Sequence, residues 1–148
     1  MYKVLFVCHG NICRSAMAEF IMKKMVKDLD LEDQFYIDSA ATSREEIGND
    51  LYGPAKAILR EKGIPFTRHE ARQVTKKDYD LFDHIYVMDD NNMRNIRRII
   101  PSNKDHKIAC LLPGANIADP WWTDDFETAY EDIEKGCRKR LEEILYEG

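Results

Sequence analysis

The sequence predicts an α/β fold in which a four-stranded parallel sheet carries helices on both faces. Four short apolar runs alternate with segments whose apolar residues recur at helical spacing. Parallel neighbours need a right-handed crossover, and a helix between consecutive strands provides one. The chain has 148 residues, 44% of them hydrophobic and 33% charged. That is the size of one globular domain, so we expect residues 1–148 to form one.

The first half of the chain is predicted to contain two strands and two helices. Proline suits the first turn of a helix, and glycine suits the position after its last residue. The elements are a strand from Tyr2 to Val7, a helical stripe from Met17, a strand from Phe35 to Ile37 and, after a polar loop, a helix that begins near Pro54 and stops at Lys62 before Gly63.

The second half continues the alternation and ends in a long helix. It reads as a helical turn from Thr75 and Asp78 to Phe82, a strand from His84 to Met88, a helix capped by Asp89 or Asp90 that ends at Pro101, a strand from Lys107 to Leu112, a loop from Pro113 to Trp122, and a helix whose apolar positions run from Phe126 to Ile144. Parallel sheets bind ligands beyond the carboxyl ends of their strands. The loop after the first strand is therefore the first candidate site.

Charge and apolar patterning exclude several classes of protein. The chain has 22 Lys and Arg against 27 Asp and Glu, a net charge of −5 that argues against a nucleic-acid partner. The first residues lack the long apolar core of a secretion signal, and no stretch is long and apolar enough for a bilayer. We expect a cytoplasmic protein without membrane association. Its four cysteines are then reduced: Cys8, Cys13, Cys110 and Cys137.

The loop of residues 8–15 has the composition of an anion cradle. It lies between a buried strand and a helix start, where successive backbone N–H groups and the helix dipole favour an oxyanion such as phosphate. Gly10 and Asn11 tolerate the left-handed backbone that a tight curl needs. Arg14 can bind two phosphate oxygens at once.

Cys8 lies at the mouth of this predicted cradle, where the N–H groups and Arg14 would stabilise a thiolate. A thiolate in that position is a nucleophile aimed at phosphorus. A free cysteine at a strand end is often only a small buried apolar residue. That simpler interpretation does not explain an arginine six positions later across a glycine and an asparagine.

Several segments together resemble the low-molecular-weight protein tyrosine phosphatases. VLFVCHGNICRSAMAE is similar to the family's opening motif, IDSAATS to its second strand, HEARQVTKKDYDLFDHIYVMDDNNMR to its middle segment, and ADPWW with DFETAYEDIEKGC to its acid loop and last helix. The resemblance implies a flavodoxin-like sheet of strand order 2-1-3-4 with a phosphate-binding loop after strand 1. It also implies hydrolysis of phosphotyrosine proteins or small aryl phosphates by a monomer or weak dimer, without a metal or other cofactor.

The resemblance also assigns roles to individual residues. Cys8 is the nucleophile that forms a phosphocysteine, Arg14 holds the transition state, and Asp119 is the general acid and then the general base. Without the resemblance, Asp119 reads as a turn aspartate before Pro120. Ser15 would donate its hydroxyl to the Cys8 sulfur, although a serine here also suits a helix start.

Further residues are implied as parts of the loop or as its support. The phosphate-binding loop comprises His9, Gly10, Asn11, Ile12, Cys13 and Ser15. Asn11, Ser39 and His69 look like the polar network that holds this loop, although each also reads as an ordinary loop or strand-end residue. Cys13 lies five positions from Cys8, which suggests the hypothesis of a reversible disulfide under peroxide.

The substrate cleft departs from the family pattern on both walls. Where relatives tend to carry Trp or Tyr after the second strand, this chain has Glu45, so we expect a charged wall and a preference for substrates with basic flanks. The other wall has Trp121 and Trp122, which can flank a phenyl phosphate. For Trp122, a role as a cap on the core is an equal alternative.

Three alternative functions follow from the same loop. Protein arginine phosphatases tend to have threonine where this loop has Ile12, an apolar residue better suited to an aromatic ester. Thioredoxin-coupled arsenate reductases need two further cysteines in the stretch corresponding to residues 76–92, where this chain has none. A module that only binds phosphate would not need Cys8 to react.

Overall fold

The computed structural model describes residues 1–147 and has a four-stranded parallel sheet of order β2-β1-β3-β4. The strands are β1 (Tyr2–Cys8), β2 (Phe35–Ala41), β3 (His84–Val87) and β4 (Ile108–Cys110). The helices are α1 (Arg14–Asp28), α2 (Gly53–Glu61), α3 (Lys76–Leu81), α4 (Asp90–Ile99), α5 (Pro120–Thr123) and α6 (Phe126–Glu147), with a 3₁₀ turn at Glu32–Gln34. The predicted α/β fold and strand order are confirmed.

The central strand β1 contributes side chains to two separate cores because successive residues of a strand point to opposite faces. Val4 and Phe6 pack in the core formed with α1, α2 and α6. Leu5 and Val7 pack in the second core, which contains apolar residues of α3 and α4. The sheet is therefore covered on both faces, and its C-terminal edge is left to the loops.

Several element boundaries differ from the prediction. β2 continues to Ala41 because its last residues pair with β1 and are buried, although its polar residues read as the start of a loop. The helix predicted from Met17 begins at Arg14, and the loop predicted up to Trp122 contains α5. β4 ends at Cys110 rather than Leu112. Leu111 packs instead on α6, where a Cβ at Gly136 would lie 2.7 Å from its side chain.

The segment after α2 returns to the edge of β2 and brings more residues to the candidate site. The N–H of Ala41 donates to the Arg72 carbonyl at 2.7 Å, and the N–H of Val74 donates to the Ala41 carbonyl at 2.8 Å. These hydrogen bonds fix residues 69–74 beside the loop that follows β1. No helix within residues 1–147 is long and apolar enough to span a membrane.

Candidate active site

Cys8 ends β1 with its sulfur held inside a ring of donors. The backbone N–H of Asn11 donates to the Cys8 Sγ at 3.3 Å, and that of Ser15 donates at 3.5 Å. The Ser15 Oγ lies 3.0 Å from the same sulfur. Cys8 is 3% exposed, so a thiolate here would be stabilised by fixed protein dipoles rather than by bulk water.

Asn11 shapes the loop through its backbone and its amide. Its φ of 62° is left-handed, and its fully buried side chain donates to the Ser15 Oγ at 2.8 Å. The Ser15 hydroxyl hydrogen has two acceptors in reach, the Cys8 sulfur at 3.0 Å and the Ala40 carbonyl at 3.4 Å, and the sulfur is the nearer. Of the two residues expected to tolerate a left-handed backbone, Asn11 adopts one and Gly10 does not. A Cβ at Gly10 would lie 3.4 Å from Glu46 Cγ, an ordinary van der Waals distance, so space alone does not require glycine at this position.

Arg14 is the first residue of α1 and is held between two carboxylates. One guanidinium nitrogen donates to Asp89 Oδ2 at 2.7 Å and to the Ile117 carbonyl at 2.8 Å, and the other donates to Asp119 Oδ2 at 3.4 Å. Burial lowers the pKa of Arg14, but the neighbouring Cys8 and the two aspartates outweigh burial and raise it. Arg14 therefore carries its positive charge at any physiological pH.

Asp89 has a second role that sequence reasoning missed. It is confirmed as the cap of α4, since its Oδ1 accepts the N–H of Asn92 at 2.7 Å. Its Oδ2 is the anchor of Arg14. Parallel β1 and β3 end at the same edge of the sheet, and this was the signal that could have indicated the pair.

Asp119 lies at the start of α5, where its Oδ1 accepts the N–H of Trp121 at 3.0 Å. Its Oδ2 faces Arg14, and the side chain retains 24% exposure. Helix capping therefore fixes the carboxylate over the site while leaving it open to solvent.

The rim of the site is acidic and is hydrogen-bonded to the loop that follows β1. His9 Nε2 lies 2.9 Å from Glu45 Oε2, and the Ser43 N–H and hydroxyl donate to the His9 carbonyl at 3.1 and 2.9 Å. Glu46 also lines the cavity, which sequence reasoning missed. The expected charged wall is thus present, with two carboxylates rather than one.

The opposite wall is aromatic. Trp121 is half-exposed, with its ring centroid 4.8 Å from that of Tyr52, a neighbour that sequence reasoning missed. Trp122 is 82% exposed, so the alternative that it caps the core is wrong. Both indoles line the cavity.

The cavity itself has a volume of about 310 Å³. Its lining brings together most of the predicted loop and cleft residues, with Glu46 in addition and without Asn11 and Ser15: Cys8, His9, Gly10, Ile12, Cys13, Arg14, Glu45, Glu46, Asp119, Trp121 and Trp122. The cavity wall thus combines a buried sulfur, a fixed guanidinium and a carboxylate. The arrangement can hold a phosphate against a nucleophile and deliver a proton from the opposite side.

Two of the three predicted supporting residues contact the loop. His69 Nε2 donates to the Asn11 carbonyl at 2.7 Å, and Asn11 acts as described above. The expectation for Ser39 is wrong as stated, because its hydroxyl donates to Glu19 Oε1 of α1 at 2.6 Å. Ser39 therefore ties β2 to α1.

The cysteines differ in their surroundings. Cys8 and Cys13 are both free thiols in the cavity wall. Burial, followed by the charge of Cys8, raises the pKa of the Cys13 thiol. Cys110 and Cys137 lie outside the cavity lining. The disulfide between Cys8 and Cys13 stays a prediction.

Asp50 holds the backbone of His69 by a hydrogen bond. Its Oδ1 accepts the His69 N–H at 2.9 Å and the Leu51 N–H at 2.7 Å, and its Oδ2 pairs with Lys56 at 2.7 Å. Its hydrogen bond with Lys56 is the largest cause that lowers the pKa of Asp50 to about 2. The ionised carboxylate therefore stabilises the fold above the ordinary pKa of an aspartate, and this contribution is lost as the pH falls from about 4 towards 2.

We expect Asp50→Asn to lower the free energy of unfolding by about 1 kcal/mol at neutral pH. Urea unfolding of both proteins between pH 7 and pH 2 measures this difference, which should shrink across the acid range. Asp28→Asn is the matched control, because that exposed carboxylate pairs with Lys24 on the surface. A difference that stays constant down to pH 2 would contradict the role assigned to the charge.

Comparison with known proteins places this geometry in a family. Residues 3–147 match the family described as low molecular weight phosphotyrosine protein phosphatase. The chain belongs to this family. The chicken (Gallus gallus) low molecular weight phosphotyrosine protein phosphatase is 43% identical, covering 94% of this chain and 93% of its own length.

Solved structures agree with this family assignment. The crystal structure of YfkJ from Bacillus subtilis is 38% identical, with a TM-score of 0.95, covering 99% of this chain and 96% of that one. The Drosophila arginine phosphatase DARP is 31% identical, with a TM-score of 0.86, covering 96% and 97% of the two chains. Both structures, one of them named as an arginine phosphatase, thus share the fold of this chain.

Proposed function

We propose that the chain hydrolyses phosphotyrosine monoesters, and small aryl phosphates, through a phosphocysteine intermediate. The observation that carries the proposal is the Cys8 sulfur, which accepts the N–H groups of Asn11 and Ser15, in one cavity with Arg14 and Asp119. Family membership supports the same reaction. A phosphate dianion in this cavity would accept hydrogen bonds from the loop amides and from Arg14.

In the first proposed step the Cys8 thiolate attacks phosphorus, and the bond from phosphorus to the phenolic oxygen breaks. Asp119 gives its proton to that oxygen, so tyrosine leaves as a neutral phenol. The equatorial oxygens stay within the amide ring and the guanidinium, which stabilise the charge of the loose transition state. The product of this step is the phosphocysteine.

In the second proposed step water replaces the sulfur. Asp119, now ionised, takes a proton from the attacking water, and the bond from sulfur to phosphorus breaks to release phosphate and the thiolate. The Ser15 hydroxyl, 3.0 Å from the sulfur, stabilises the departing thiolate.

The decisive experiment is turnover of an aryl phosphate beside phosphotyrosine, phosphoserine and phosphoarginine peptides in the presence of a chelator. We expect aryl phosphate and phosphotyrosine hydrolysis, and rapid acid quenching should trap phosphate on Cys8. Failure to trap the adduct in working enzyme would contradict the mechanism.

Arginine phosphatase activity is the second candidate, supported by the likeness to DARP. Ile12 lines the cavity with a branched apolar side chain. An apolar contact favours an aromatic ester over a phosphorylated guanidinium. Faster turnover of the phosphoarginine peptide than of the phosphotyrosine peptide would reverse this ranking.

Replacing Asp119 with asparagine should lower kcat/KM for phosphotyrosine about 10²- to 10⁴-fold, because kcat/KM reports the first step, in which the leaving phenolate then has no proton donor. The loss should be smaller for a nitrophenyl phosphate, whose phenolate leaves without a proton. Asp124→Asn, at the other end of α5, is the matched control. Equal losses for both leaving groups would remove Asp119 as the acid.

A further inference from the structure

The charge of the chain is unevenly distributed. Residues 91–107 contain five Lys or Arg and one Asp, a net charge of +4 in a chain whose net charge is −5. The rim of the active site, by contrast, has Glu45 and Glu46. Basic residues are therefore concentrated in one segment of a chain that is acidic overall, while two carboxylates line the candidate active site.

The basic residues concentrate on the outer face of α4 and on the loop after it. The exposed side chains of Arg94, Arg97, Arg98 and Lys104 form this α4 basic surface. Arg94 and Arg98 are one helical turn apart, so they lie on the same face. The inner face of the helix packs Ile96 and Ile100 into the core.

The charges of this surface are largely unneutralised by the protein. Within residues 1–147, no carboxylate lies within 4 Å of the charged nitrogens of Arg97, Arg98 or Lys104. Arg94 donates to the neutral Asn91 side chain. Elsewhere basic residues such as Lys24 and Lys62 have acidic partners. An anionic partner could therefore reach these charges without displacing an internal one.

The helix that carries the α4 basic surface starts beside the active site. Asp89, which anchors Arg14, is the cap of α4, and the helix leads away from that point. Arg98 lies nine residues further, roughly 13 Å along the helix axis. An extended peptide spans that distance in about four residues. A substrate chain leaving the cavity along α4 would thus meet these arginines a few residues after its phosphotyrosine.

We propose that the α4 basic surface docks an acidic segment of the phosphoprotein substrate, about four residues from the phosphotyrosine. This inference rests on the proposed function, because it concerns how that substrate is held. The acidic rim at Glu45 and Glu46 repels such a segment and so directs it towards α4. A surface that binds a bilayer has exposed large apolar side chains that insert into it. Among residues 1–147 such side chains lie outside the α4 basic surface, so this surface suits a peptide rather than a membrane.

The test compares two phosphotyrosine peptides that differ only in a short tract beginning about four residues from the phosphotyrosine. The tract is glutamate in one peptide and glutamine in the other, and it is placed on the N-terminal and on the C-terminal side in turn. We expect the glutamate peptide to have a KM lower by about five-fold, at equal kcat. The advantage should fall as salt is added, because exposed charges are screened.

The variant Arg97→Gln/Arg98→Gln should lose this advantage and still turn over nitrophenyl phosphate at the wild-type rate. Lys135→Gln/Lys139→Gln removes the same charge from exposed positions on α6 and should retain the advantage. Thermal unfolding of both variants checks that they fold.

Two outcomes overturn the docking proposal while the neutral peptide is hydrolysed: no preference in the wild type, or an unchanged preference in Arg97→Gln/Arg98→Gln. Sedimentation with vesicles rich in phosphatidylserine that depends on these arginines, together with no peptide preference, would assign the surface to a membrane instead. If the wild type hydrolyses neither of the two peptides nor nitrophenyl phosphate, the proposed function itself is contradicted, and docking with it.

Discussion

Replacing Cys8 with serine is expected to lower phosphotyrosine turnover by at least about 10⁴-fold. The sulfur is the one nucleophilic atom that the Asn11 and Ser15 N–H groups surround, and a serine hydroxyl at that point is a far weaker nucleophile. The N–H donors and Arg14 remain in the variant. Steady-state kinetics should therefore show loss of kcat, while titration with inorganic phosphate should still show binding.

Cys110→Ser is the matched control for this experiment, since Cys110 lies in β4 outside the cavity lining. It should retain wild-type kcat. A phosphate-binding module would give a different result, namely no turnover in the wild type and unchanged binding in Cys8→Ser. Residual turnover by Cys8→Ser near the wild-type rate would eliminate the phosphocysteine mechanism.

Replacing Arg14 with lysine should lower kcat by about 10³-fold, although the charge is kept. The guanidinium reaches Asp89 and the Ile117 carbonyl through one nitrogen and faces Asp119 with the other, and a single ammonium cannot fill both positions. The planar fork needed for two phosphate oxygens is also lost.

Single-turnover kinetics with a nitrophenyl phosphate would locate the Arg14→Lys defect in the first chemical step. Arg138→Lys on α6 is the control, because Arg138 is exposed and pairs only with Glu134 among residues 1–147. We expect that control to match the wild type. A lysine variant with only a raised KM would indicate that Arg14 binds substrate without stabilising the transition state.

Much of the fold could be predicted because its determinants are local. The apolar periods define α4 and α6, and the capping box of Thr75 and Asp78 that starts α3 is present. The spacing from Cys8 to Arg14 indicated the loop, since both the strand end and the helix start that flank it are encoded within a few residues. The role of Asp119 could be predicted only through the family resemblance, because an aspartate before proline is common in turns.

The remainder depended on contacts between distant parts of the chain. Asp89 reaches Arg14 across 75 residues, and Ser39 pairs with Glu19 across two elements. Local sequence gives no sign of either pair, since aspartate caps helices and serine occupies strand ends for ordinary reasons. Tyr52 lies beside Trp121 for the same long-range reason.

The attachment of Ser43 to the His9 carbonyl has a consequence for how this protein could diversify. The segment around Glu45, which would contact the residues flanking a phosphotyrosine, is hydrogen-bonded to the backbone of the loop that would hold the phosphate. Glu45 contacts the side chain of His9, so exchanging it changes the surroundings of a residue of that loop. At this edge of the molecule, evolution of a new selectivity would therefore act on residues that are physically linked to the chemistry.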